Sequence, residues 1–171
     1  MKKAAITILI FVSIITTGCI TIGTLSQVSG LSKDYLNEVP PYSKMIYIEK
    51  ENVPIDKLYD ELLGIIIDRN HRIVKDDRQM HYIVTEGRDV GQSTLQRMTI
   101  SIKQTNNLCI AKIATEWKAG TEAMMMANAM SGIVANSDWA TAYMAPSRPG
   151  IAFTESLRIA KETGGEIRFE K

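Results

Sequence analysis

Histidine and cysteine are scarce in this chain: two of each in 171 residues, alongside three phenylalanines and two tryptophans. His71 and His81 are therefore the only side chains with an ordinary pKa near neutrality available for acid–base work. Their ten-residue spacing fits no common zinc pattern, and neither HExxH nor GxSxG occurs. A disulfide framework is not expected either, because Cys19 and Cys109 fall in unrelated contexts. Charge of one sign is missing too. The 20 basic and 19 acidic residues leave a formal charge of +1, so nothing recruits nucleic acid electrostatically. A long apolar run is also lacking. Ala4 to Ser32 carries no charge, but its second half, "TIGTLSQVSG", is rich in Thr, Ser and Gly. That is poor material for a membrane span of about 20 apolar residues. No internal repeat is visible.

What is present suits one modest globular domain. The 45% hydrophobic and 23% charged content argues against disorder. A chain of this size can bury roughly two-thirds of its unfolded surface without a metal or disulfide staple.

The N-terminus carries the strongest signal. "MKKAAITILIFVSIITTGC" joins a basic start at Lys2 and Lys3 to a short apolar run, Ala4 to Ile15, and then to small residues before Cys19. This stretch resembles the signal peptide and lipobox of bacterial lipoproteins, with Gly18 directly before Cys19; Thr16 stands where that family usually has Leu. The resemblance implies that residues 1–18 are removed and that Cys19 becomes a diacylglyceryl-modified N-terminus. Losing Lys2 and Lys3 would leave 18 basic against 19 acidic side chains. Several acyl chains, at ~0.8 kcal/mol per buried CH₂, make a stable anchor. Ile20, rather than Asp, after the lipid-bearing Cys resembles cargo sorted to a Gram-negative outer membrane. The competing reading of the segment is an uncleaved signal anchor.

Residues 19–43 read as the lipidated Cys and a flexible tether, Gly/Ser/Thr-rich at first and ending in "EVPPYSK". The folded domain is then residues 44–171. "KMIYIEK" predicts a strand and "NVPIDKLYDELLGIIIDRN" a helix. That helix would start near Pro54, bury Ile55, Leu58, Tyr59, Leu62, Leu63 and Ile66, and end at a left-handed Asn70. "HRIVK", "QMHYIVTE", "LQRMTISIKQ" and "LCIAKIATEW" predict four half-exposed antiparallel strands, with a turn at Asp76 and Asp77. Cys109 falls on a core-facing position beside Ala111 and Ile113, the pattern of a structural thiol. Residues 120–149 form a Met-rich helical and loop insertion. "IAFTESLRIAKET" is a last helix, stopped by Gly164 and Gly165, and "EIRFE" a last strand. The order β-α-β-β-β-β-α-α-β implies an α+β domain: a two-layer antiparallel sheet with helices on one face. In layout it is similar to the helix-grip domains of outer-membrane assembly lipoproteins.

"GRDVGQST" (Gly87 to Thr94) lacks the Lys and spacing of a phosphate loop and reads as a strand connection. His71, at a helix-to-strand junction, suits capping, and His81 suits a solvated or satisfied strand position. The segment "TEAMMMANAMSGIVAN" (residues 121–136) admits three readings: copper(I) ligation, membrane insertion, or close packing. On a helix only Met126 and Met130 share a face, short of a thioether set for copper. Asn128, Ser131, Gly132 and Asn136 interrupt it as a span. Ala123, Ala127, Ser131 and Ala135 form a small-residue ridge that lets another backbone approach, with Met126 and Met130 adapting at its sides.

These observations predict a lipid-anchored cell-envelope protein with a non-catalytic interaction or structural domain and no cofactor. Its partners would be the membrane, through the anchor, and an envelope protein or a second copy. The alternative is a small-ligand or copper-binding lipoprotein, and an enzyme comes third.

Overall fold

In the computed structural model, which describes residues 20–131 and 138–171, the chain starts with α1 (Ile22–Ser29) and α2 (Lys33–Glu38). Next come β1 (Met45–Glu51), α3 (Ile55–Asp68), β2 (Ile73–Asp77), β3 (Tyr82–Thr85) and the two-residue β4 (Arg88–Asp89). The long strands β5 (Thr94–Thr105) and β6 (Leu108–Ala119) lead to α4 (Thr121–Ser131). β7 (Ala140–Thr141), α5 (Arg148–Thr163) and β8 (Glu166–Glu170) complete the chain. Every strand pairing is antiparallel, in the order β2-β3-β5-β6-β1-β8, with β4 added to β5 and β7 to β6. The fold is α+β, as the strand alternation and helix periodicity predict.

One face of the sheet is the core. Met98, Ile100 and Ile102 of β5 lie opposite Thr115, Ile113 and Ala111 of β6, and β1 continues the rows with Ile46 and Ile48. All are buried, and each large aliphatic residue contributes about 1.5–3 kcal/mol by leaving water. Cys109 sits among them with no exposed surface. The opposite face carries the polar members of the same alternation, such as Tyr47, Lys112 and Arg168 on neighbouring strands.

α3 and α5 cover the core face. α3 buries Leu58, Tyr59, Leu62 and Ile66, and Asn70 takes the left-handed conformation (φ 59°) just after its end, as predicted. A 2.8 Å ion pair from Lys50 to Glu61 ties it to β1. α5 starts at Arg148, earlier than its apolar pattern implies. Pro149 lies in its first turn, where a missing N–H costs nothing, so the proline marks the helix start and not a loop. The β2–β3 turn falls at Arg78–His81, beyond the predicted Asp76 and Asp77. Asp77 stabilises it, its Oδ1 accepting the Met80 N–H at 3.0 Å.

The flexible tether predicted for residues 19–43 is not what the structure has from Ile20 onward. α1 and α2 are folded, α1 packs on α5, and Leu25, Leu31, Leu36 and Val39 are buried in the same core. The residues that suggested a linker are caps. Thr21 and Thr24 form a reciprocal capping box at 3.2 Å, and Ser32 accepts the Tyr35 N–H at 3.3 Å. Gly30 closes α1 in the left-handed conformation (φ 73°). The leader 1–18, Cys19 and Ala135 lie outside the described residues.

Candidate functional site

The Met-rich segment forms α4, docked where β6 ends. Gly120 brings the chain against the β4–β5 turn: its N–H donates to Ser93 O at 2.7 Å. A side chain there would meet that carbonyl, its Cβ at 3.1 Å. The turn is unusual, with Gly91, Gln92 and Ser93 all at positive φ (109°, 53° and 50°). Two non-glycine residues in that region store strain, which accumulates at binding and switch sites. Ser93 Oγ donates to Glu122 at 3.0 Å, and Arg148 Nε donates to Gln92 O at 3.4 Å. Together these elements line an open groove of about 540 Å³.

Ala123 is buried, whereas Met125 and Met126 are 66% and 69% exposed over the groove. Exposed thioethers are adaptable contact surface. Ala127, Met130 and Ser131 belong to α4, but their side chains lie outside the described set. The structure therefore brings Ala123 and Met126 to one groove and does not trace the whole ridge.

A second cluster is buried in the helix layer. Glu155 of α5 receives a bidentate ion pair from Arg69, at 2.8 and 2.9 Å, and lies 3.2 Å from His71 Nε2. A carboxylate only accepts, so Nε2 carries the proton. Arg88 reaches Glu155 at 3.9 Å and donates to the Arg69 carbonyl, closing the cluster from β4. Burial works against the Glu155 charge, but the His71 hydrogen bond and the Arg69 guanidinium outweigh it and hold its pKa at about 2. His71 thus has two roles: its backbone N–H donates to Ile66 O at 3.0 Å, the cap its position at the end of α3 predicts, and its side chain is an internal partner of Glu155. The signal for this cluster was a charge inside the apolar run "IAFTESLRIA". Beside it, Gln96 Nε2 donates to Ala152 O at 3.1 Å and to Ser156 Oγ at 2.8 Å, and Ser156 pairs with Thr115 at 2.7 Å. α5 is buried along almost its whole length, so its polar groups need such internal partners.

His81 Nε2 lies 3.2 Å from Asp56, with its ring edge-on to Tyr59 at 5.8 Å. Asp56 is at the first turn of α3, with its side chain 65% exposed, so the pair is a surface contact. Cys109 lies in the core, where burial pushes its thiol up and away from the reactive thiolate.

Neither a family model nor a curated relative matches the chain. Among solved structures it is similar to a DUF4468 family protein from Bacteroides ovatus. That match has a TM-score of 0.38 and 13% identity and covers 71% of this chain and 86% of the other. At that level no function passes from one chain to the other.

Proposed function

We propose that the protein is a lipid-anchored component of the bacterial cell envelope, facing the periplasm on the outer membrane if the cell is Gram-negative. Its folded part is a non-catalytic interaction module. The observation that carries the anchor is the run of small residues ending in Gly18-Cys19, directly before a domain that begins with the Thr21 capping box. The groove at α4 supports the interaction role. It offers exposed Met125 and Met126 beside Ala123, next to a strained turn, and its other lining residues are Gln92, Ser93, Glu122 and Arg148. Among the described residues these add no further thioether to a copper site, and the Arg148 guanidinium beside them disfavours a cation. The groove therefore suits an apolar contact from an envelope protein or a second copy better than a metal.

Cell fractionation of wild type and Cys19→Ala tests the anchor. Wild type should sediment with membranes and be released by detergent but not by high salt. The variant should gain no acyl group and accumulate as an unprocessed precursor that keeps residues 1–18. A soluble Cys19→Ala chain that is cleaved at the same bond contradicts the proposal.

A further inference from the structure

With α1 folded, the chain has almost no spacer between Cys19 and the domain. Ile20 already packs against the core and Thr21 already caps α1. Cys19 is three residue steps from Ile22, and an extended chain spans at most ~3.6 Å per residue, so the attachment point of a lipid at Cys19 stays within roughly 11 Å of Ile22. The surface at that point is apolar and aromatic. Ile22 lines an open groove of about 210 Å³ together with Leu36, Pro41, Met144 and Pro146. Two backbone hydrogen bonds, from Tyr42 N–H to Met144 O at 2.8 Å and from Met144 N–H to Ser43 O at 2.9 Å, clasp its two walls. At its rim the rings of Tyr42 and Tyr143 lie 6.0 Å apart, and Tyr42 is 63% exposed. Tyrosines at the edge of an apolar patch match the headgroup layer of a bilayer, where one end of the ring is dry and the other wet.

We propose that this patch is a membrane-docking surface: the domain lies against the bilayer on Ile22, Pro41, Tyr42, Tyr143 and Pro146, held in one orientation. The inference rests on the lipid-anchor reading. Docking fixes the orientation of the closely anchored domain. β1 leads away from the patch, so the β2–β3 turn, at the opposite end of the sheet, points away from the membrane.

Full-length protein extracted from membranes and reconstituted in phosphatidylethanolamine–phosphatidylglycerol vesicles gives the test. Cys109 is buried, so a thiol introduced by Tyr42→Cys or, as the distal control, Met80→Cys takes a fluorophore selectively. Nitroxide-bearing lipid should dim the label at position 42 by about twofold or more, and the label at position 80 hardly at all, because interfacial groups sit ~5–10 Å into the headgroup boundary. Intact mass of the same samples reports acylation of Cys19. An acylated chain with equal, weak quenching at both positions overturns docking while leaving the anchor in place. A chain without acyl mass overturns both. A label at position 42 that is shielded in detergent as protein concentration rises, and is not quenched by lipid, overturns docking in favour of a contact between copies. Circular dichroism matching wild type confirms that each labelled variant is folded. Tyr143→Asp should lower quenching at position 42 without changing acylation.

Discussion

At the scale of single residues, the structure separates two glycines that look alike in sequence. A Cβ on Gly150 would lie 1.8 Å from the Ala145 carbonyl, a backbone atom that cannot turn aside. Gly150→Ala should therefore destabilise by at least the ~1–3 kcal/mol typical of overpacking. A Cβ on Gly64, in the middle of α3, meets nothing within 4 Å, so Gly64→Ala should stabilise by about 0.5–1 kcal/mol. Urea unfolding of both variants checks the pair. Glu155 makes a prediction of a different kind. Its pKa falls from an ordinary 4.5 to about 2 on folding, so its ion pairs contribute stability that is fully present above about 4.5. That contribution is lost as pH drops from there through about 2. Glu155→Gln leaves Arg69 and His71 without the charge they face and should cost roughly 3–5 kcal/mol at pH 7. The variant's unfolding free energy should also change less than that of wild type over the same acid window.

At the scale of elements, α1 is where sequence and structure part company. Leu25 is fully buried against α5, so Leu25→Ala should cost ~2–5 kcal/mol in unfolding free energy. A true tether would show no change. α3, β5 and β6 were legible because long amphipathic periods leave little choice of face. α1 and α2 were not, because each is short and its few apolar residues are diluted by Thr, Ser and Gly that act as caps. The Glu155 cluster was hidden for a related reason: its members come from α5, the end of α3 and β4, and only tertiary packing joins them. For α4, two substitutions separate packing from copper. Ala127→Leu should fill the close contact expected of the ridge, costing about 1–3 kcal/mol if that contact is internal, or abolishing association if it is with a partner. Met126→Leu keeps volume and apolarity and should be mild. If Met126→Leu alone removes tight copper(I) binding, measured by competition with a chromogenic chelator, the packing account of this helix fails.

At the scale of the whole molecule, the layers have separate tasks. The sheet buries one face under α3 and α5, and α1 covers α5 in turn. That second covering joins the folded core to the residue proposed to carry the lipid, so anchor and fold become mechanically continuous. The α4 groove and the groove beside Tyr42 and Tyr143 are lined by different residues. All of this depends on the chemistry at Cys19. Intact-protein and peptide mass spectrometry of the membrane fraction tests that dependence most directly. The account predicts a mature chain beginning at Cys19 with the mass of a diacylglyceryl group, and usually a further acyl chain, on that residue. A chain that keeps Met1, or one that begins elsewhere with an unmodified Cys19, contradicts it.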